Sequence, residues 1–297
     1  MAEQLNLSNF EDARTYLRKL REDQIRDAAM VVQIWEEVLM NYAYNLGDEL
    51  WLIYEQVCIA ALDCRRPDLA MVCIEELEAK FPKSLRVTRL EGMFYESQDR
   101  YDKAQQLYDH ILSEDETNMF ARKRQVAILK AQGKIPEAIA KLNDYLKEFM
   151  TDFEAWMEQC DLYIAEMDYA KASFCMEELI LSNPHNHLYH LKYAEIKYTQ
   201  GGSENLEIAR AYFSEAAKLN PRNLRSLFGL LMTASGLAVY QAKNARERQA
   251  NTKYALWAAE QITEIYQSEL NKKQVGEMKV METIEKLLSS LQLPPGN

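Results

Sequence analysis

The sequence predicts an all-α solenoid of stacked helix hairpins, and three observations carry that expectation. Ala70, Ala104, Ala138 and Ala172 follow one another at intervals of 34 residues, and Ala209 comes 37 further on. A fixed period of about 20–50 residues marks an array of supersecondary units that stack on their neighbours. Large rings and prolines recur in phase with the alanines, as Trp156, Tyr163 and Pro184 do around Ala172. Helix breakers are scarce, with 9 Gly and 7 Pro among 297 residues of which 48% are hydrophobic, and this favours helix over sheet.

The period and the residue types resemble the tetratricopeptide repeat, a helix–turn–helix unit of 34 residues. That resemblance implies a right-handed superhelical solenoid of hairpins with capping helices at its N- and C-terminal ends. Each recurring residue has a physical role. Trp156 and Tyr163, seven apart on the first helix of a hairpin, fill the space between paired helices. Ala172 sits where the two axes approach most closely, and a larger side chain there would overpack at a cost of about 1–3 kcal/mol. Pro184 stops the second helix, because it cannot extend the hydrogen-bond ladder.

Taken in order, residues 1–50 read as N-terminal capping helices. Apolar residues at helical spacing occur over 10–21 and again over 24–46, where Val31, Ile34, Trp35, Val38, Leu39 and Tyr42 mark one face. Gly47 supplies a stop. Alignment on the alanines then gives five tandem repeats over 51–223, namely 51–84, 85–118, 119–152, 153–186 and 187–223. The glycine pair Gly201–Gly202 in the last of them absorbs the three extra residues. Residues 224–270 read as a degenerate sixth hairpin, with helices at Leu224–Val239 and Asn251–Gln267 and a long polar loop, QAKNARERQ, between them. Residues 271–297 read as a C-terminal capping helix, about Lys272–Leu291, and a tail.

Composition removes several function classes. The net charge of −11 and a pI near 5.1 argue against a nucleic-acid binder, which normally presents a basic surface. Five cysteines without CxxC spacing, behind a polar and acidic N-terminus, point to reduced thiols in the cytosol or nucleus. The longest uncharged stretch, Ser226–Ala242, is shorter than the run of about 20 apolar residues that a span requires, so it reads as a buried helix.

Motifs for chemistry are missing. No phosphate loop, HExxH or nucleophile elbow occurs. His185, His187 and His190 lie across an inter-repeat turn without carboxylate or thiol at ligand spacing. Glu75–Glu76 and Glu177–Glu178 are sequence neighbours that do not face each other on a helix. The expectation is a non-enzymatic binding protein with no cofactor and no metal.

In repeats of the tetratricopeptide family the first helices line a concave groove, so their positions 2, 5, 9 and 12 are candidate partner contacts. In the first repeat these are Leu52, Glu55, Ile59 and Leu62, and in the second Arg86, Arg89, Met93 and Glu96. The third supplies Phe120, Lys123, Ala127 and Lys130. The fourth supplies Glu154, Met157, Asp161 and Ile164, and the fifth Leu188, Leu191, Glu195 and Tyr198. The basic middle, Arg86, Arg89, Lys123 and Lys130 with Arg122 and Arg124 beside them, would suit an acidic or extended segment. The carboxylate clamp of chaperone-binding members needs Asn at position 9. Here that position reads Ile59, Met93, Ala127, Asp161 and Glu195, so the amide donors are gone, each worth about 1.5–3 kcal/mol toward a terminal carboxylate.

Four longer segments are more specific than the repeat. LGDELWLIYEQVCIAALD (46–63), RYDKAQQLYDHIL (100–112), DYAKASFCMEELILSNPHNHLY (168–189) and YTQGGSENLE (198–207) resemble the subunit 2 family of the ER membrane protein complex. This resemblance implies a non-catalytic scaffold, peripheral on the cytosolic face of the endoplasmic reticulum membrane, with no span of its own. It implies an insertase for tail-anchored and multi-pass proteins as the assembly served. The implied partners are the cytosolic parts of subunits 3 and 5, and subunit 8 or 9. A soluble adaptor for a chaperone or another assembly is the alternative that the repeat alone would allow, and an RNA-reading array is third.

Overall fold

A computed structural model describes residues 9–240 and 244–270, and every regular element among them is helical. The chain divides into two compact units, residues 1–141 and 142–297. The first holds α1 (Phe10–Glu22), α2 (Ala28–Ile34), α3 (Glu49–Asp63), α4 (Pro67–Lys80), α5 (Leu85–Ser97), α6 (Tyr101–Glu114) and α7 (Met119–Ala131). The boundary falls inside α8 (Ile135–Glu148). The second unit continues with α9 (Phe153–Ala165), α10 (Tyr169–Ser182), α11 (His187–Gln200), α12 (Ser203–Leu219), α13 (Leu224–Tyr240) and α14 (Ala245–Leu270).

Ala70, Ala104, Ala138, Ala172 and Ala209 are all fully buried, each on the second helix of a hairpin, where a methyl group lets the first helix come close. Tyr163 is buried, Trp156 is half-buried and Pro184 is exposed just past the end of α10. In the first unit, Leu17, Ile34, Leu39, Ile53, Val57 and Leu90 belong to one core, and Tyr108 and Ile128 to another. In the second, Ala194, Phe213, Leu227, Leu231, Ala255 and Ile262 form the core.

The hairpin turns repeat as strictly as the alanines. Arg65, Asp99, Gly133, Met167 and Gly201 all take positive φ, between 56° and 73°, again 34 residues apart. The residue after each of the first four closes a six-residue hydrogen bond to the ending helix: Arg66 N to Ala61 O at 2.8 Å, and Arg100, Lys134 and Asp168 N to Tyr95, Leu129 and Tyr163 O, each at 2.9 Å. This left-handed C-terminal cap satisfies carbonyls that a helix end would otherwise leave open. Side-chain caps start α7, α9 and α10. Asn118, Asp152 and Asp168 accept from the backbone N–H three residues on, at 3.1, 3.0 and 3.2 Å.

Two expectations need correction. Residues 24–46 do not form one regular helix: α2 gives way to a π turn over Trp35–Leu39 and then a 3-10 turn over Met40–Leu46. The extra residue in the π turn shifts the register so that Trp35, Val38, Leu39 and Leu46 are buried while Tyr42 turns outward, its ring edge on Phe10. The polar stretch after α13 is also mostly helix. Asn244 caps α14, accepting from Glu247 N with its side chain at 3.4 Å, while its carbonyl accepts from Arg248 N at 2.9 Å. ARERQ is composed of good helix formers once that cap is in place. The expected helix at 272–291 and the tail lie outside the described residues.

Candidate partner-binding surfaces

In the first unit, α3 and α5 and the end of α4 enclose a cavity of about 430 Å³ lined by Trp51, Leu52, Leu77, Phe81, Val87 and Leu90, with Asp48, Glu55, Lys80 and Arg86 at its charged positions. Trp51 is the anchor. Phe81 meets its ring edge-on at 5.6 Å, and Lys80 Nζ lies 5.4 Å from its centroid. Ile59 and Met93 are half-buried and pack onto the core. They contribute little open surface.

The basic middle is largely neutralised from within. Arg86 donates to Glu55 Oε2, and Arg89 Nη2 donates to Glu55 Oε1 at 2.7 Å. Arg124 grips Glu96 with two bonds, 2.9 and 2.5 Å long. Arg89 also lies over the exposed ring of Phe120, 5.1 Å from its centroid. Lys123 is half-buried and Lys130 exposed. Three of the arginines that the sequence offers to an acidic partner are therefore held by carboxylates of neighbouring helices. Such cross-helix pairs fix the register of the stack more than they attract ligands.

In the second unit, α9, α11 and α13 with the ring of Phe213 from α12 frame a cavity of about 570 Å³. Ile164, Ile196, Tyr198, Phe228 and Met232 supply apolar lining, and Lys192, Glu195 and Arg225 line it as well. Here too the charges are paired: Lys192 donates to Asp161, and Arg225 to Glu195. Lys192 Nζ also lies 3.3 Å from Met157 Sδ. Gly229 forms the floor, because a Cβ there would collide with the Phe213 ring. Leu191 does not belong to this surface. It is 7% exposed and sits in the core with Ala194 and Phe213, since its register turns it toward α12 and α13.

The histidines serve the turn. His190 Nε2 lies 2.8 Å from Pro184 O, and the His187 ring nitrogens lie 3.2 and 3.1 Å from the side-chain amides of Asn220 and Asn223. Among the described residues no group of three or more His, Cys, Asp or Glu is placed to hold a metal ion.

The residues 69–204 match the model of the EMC2 TPR-like repeat domain. Over 284 residues the chain is 50% identical to ER membrane protein complex subunit 2-A of Xenopus laevis, covering 96% of this chain and 95% of that protein. The chain belongs to the ER membrane protein complex subunit 2 family. A more distant member, from Dictyostelium discoideum, is 33% identical over 248 residues, 78% of this chain and 77% of its own. Among solved structures, the C-terminal part of a TPR repeat-containing protein from Cytophaga hutchinsonii aligns with a TM-score of 0.57 at 17% identity, over 82% of this chain and 94% of that one. That likeness concerns the fold alone.

For this member of the subunit 2 family, sequence reasoning missed Trp51, Phe81, Phe213 and Met232. Groove positions counted along first helices do not reach a helix end such as Phe81, nor a second-helix ring such as Phe213 that enters through a glycine gap. The missed ion pairs had a usable signal. Glu55–Arg86, Asp161–Lys192 and Glu195–Arg225 are separated by 31, 31 and 30 residues, which is close to one repeat.

Proposed function

We propose that the chain is a non-catalytic scaffold subunit of an ER membrane protein complex, peripheral on the cytosolic face of the endoplasmic reticulum membrane. In this reading it organises the cytosolic parts of subunits 3 and 5, together with subunit 8 or 9, in an insertase for tail-anchored and multi-pass membrane proteins. The division into capping helices, five repeats over 51–223 and a sixth hairpin belongs to the same proposal. The observation that carries it is likeness over 96% of the chain to relatives that bear that name. The two cavities support it. Each has an apolar lining, and Glu55 with Arg86 in the first and Glu195 with Arg225 in the second are already ion-paired, which suits uncharged side chains of an extended or helical partner segment. It does not suit a small-molecule reaction.

Membrane fractionation and mild-detergent purification test this reading. The expected result is a protein that sediments with endoplasmic reticulum membranes, is released by carbonate, and co-purifies with membrane-embedded subunits. Recovery as a free cytosolic protein after gentle lysis, or capture by chaperone C-terminal peptides at micromolar concentration, would replace the scaffold reading with a soluble adaptor.

A further inference from the structure

We propose that the seam between α4 and α5 is an adjustable joint, loosened by a carboxylate at Glu91 where later seams place a hydrogen-bond donor, and that it sets how far the first cavity opens. The first observation is a ladder of polar rungs. Asp109, Asn143 and Glu177, on the second helices α6, α8 and α10, follow one another at intervals of 34 residues. Each accepts a hydrogen bond from the side chain 16 residues later, on the first helix of the next hairpin. Gln125 Nε2 donates to Asp109 Oδ1 at 2.7 Å, Gln159 Nε2 to Asn143 Oδ1 at 3.1 Å, and the Tyr193 hydroxyl to Glu177 Oε1 at 2.7 Å. Gln125, Gln159 and Tyr193 are all buried, so each bond closes a seam in which a polar group needs a partner.

One repeat earlier the same register puts Glu75 on α4 and Glu91 on α5. Ionised, this pair offers two acceptors and no donor, so it cannot make the rung. Glu91 is half-buried, and the charges that act on it are Glu78 of α4 and Lys103 of α6. Burial, and then Glu78, hold its carboxyl above the ordinary range, while Lys103 opposes them. Lys103 is itself exposed, its Nζ 5.2 Å from the centroid of the Tyr95 ring. An ionised carboxylate in this place favours any opening that lets water reach it.

The second observation is where this seam lies. Leu77 and Phe81 from α4 and Val87 and Leu90 from α5 line the first cavity together with Trp51, so parting α4 from α5 widens it. In a stacked array each hairpin is held chiefly by its neighbours, and a weak seam lets the hairpin on its outer side open as a block. Here that block is α1 to α4. The entry of a partner segment into the widened cavity rests on the scaffold reading proposed for the chain. The joint itself does not.

Hydrogen exchange and fluorine NMR of the purified full chain test the joint. Glu91→Gln replaces one carboxylate oxygen with an amide donor and recreates the kind of rung that Gln125 makes with Asp109. At about pH 7.5 it should slow exchange of the α3 and α4 amides about tenfold and leave α9 to α12 unchanged. Glu78→Gln should give a smaller slowing, and Glu166→Gln, at an exposed carboxylate of the second unit, none. A carboxyl held above its ordinary pKa supports the closed seam while protonated, and that support is lost as pH rises. The gap between wild type and Glu91→Gln should therefore narrow at about pH 5. With 5-fluorotryptophan at the four tryptophans, the Trp51 resonance, assigned by Trp51→Phe, should shift or sharpen in Glu91→Gln while those of Trp156 and Trp257 stay. Unchanged or faster exchange in α3 and α4, an equal slowing in Glu166→Gln, a gap that pH does not alter, or an unmoved Trp51 resonance would each overturn the proposal. No partner is present, so these outcomes are separate from whether the chain serves as a scaffold.

Discussion

Tyr108 on α6 donates its hydroxyl hydrogen to Glu96 Oε1 on α5 at 2.6 Å, and Arg124 on α7 closes on the same carboxylate. Burial, with Glu96 beside it, pushes the phenol well above its ordinary pKa, so it stays a donor. The ring fits because α5 has Gly92 opposite: a Cβ there would sit 2.7 Å from Tyr108 Cζ. Gly92→Ala is expected to destabilise the first unit by about 1–3 kcal/mol, and Tyr108→Phe by about 1 kcal/mol. Tyr108→Leu in the Gly92→Ala background should recover part of the loss. Urea unfolding of the wild type, Gly92→Ala, Tyr108→Leu and the double variant measures the coupling, and strictly additive effects would show that the ring contact is not the cause.

The left-handed turn positions give a stabilising prediction. Met167 is 75% exposed and has φ 58°, so it packs little while occupying a conformation that costs an ordinary side chain about 1–2 kcal/mol. Part of that gain is offset by the unfolded-state entropy that glycine adds. Met167→Gly should therefore raise stability by roughly 0.5–1 kcal/mol, and Gly133→Ala, the reverse change one repeat earlier, should lower it by roughly 1 kcal/mol. Opposite shifts in thermal midpoint are the expected reading. A loss on Met167→Gly would mean that the side chain makes contacts its exposure hides.

Glu49 gives a pH prediction. Arg18, and then Arg14, bond to its carboxylate, and Arg21 joins them at 2.7 Å. Arg18 and Arg14 hold the carboxyl down to about 2 against the opposing effect of burial. A folded pKa below the unfolded one favours the ionised form in the fold. The stabilisation is thus fully present above the ordinary carboxylate range, near 4.5, and is lost as pH falls toward about 2. Arg18 is half exposed, so solvent screening reduces the contribution to roughly 1–2 kcal/mol. Glu49→Gln should cost that amount at pH 7 and little at pH 2.5. A parallel offset at both pH values would assign the loss to packing of α1 on α3 instead of charge.

What could be read from the residues, and what could not, follows from range. The alanines announced the hairpins because steric closeness between paired helices is imposed once per repeat, and Ala70 through Ala209 answer to it alone. The equally regular turn positions stayed hidden, because Arg65, Asp99 and Met167 tolerate positive φ without being glycine. The polar run before Asn251 reads as a loop by polarity alone, whereas helix propensity and the Asn244 cap make it the start of α14. In the groove, residue type gave the right charges at Arg86, Arg89 and Arg124 but not their partners. Those lie on neighbouring helices, which only the stacking register brings within reach. Phe213 was beyond any position count, since its path to the second cavity depends on the absent side chain of Gly229.

Thiol reactivity provides a prediction in which burial and electrostatics agree. Cys58 in the middle of α3 and Cys73 in the middle of α4 are pushed up to about 12 chiefly by burial, as is Cys175; Cys160 reaches about 11 for the same cause. Nearby acidic groups add to the effect, Glu55 at Cys58 and Glu178 at Cys175. Thiolate is the reactive form, so at pH 7.5 these four combine shielding with almost no thiolate. Cys64, at the end of α3, is only half-buried. Brief alkylation of the native chain with iodoacetamide should give one dominant adduct, mapped by peptide mass spectrometry to Cys64. The other four should label together, and only when urea opens the hairpins. Early labelling of Cys160 or Cys175 without Cys58 and Cys73 would show that the second unit opens more readily than the first, contrary to the equal burial of the two thiol pairs.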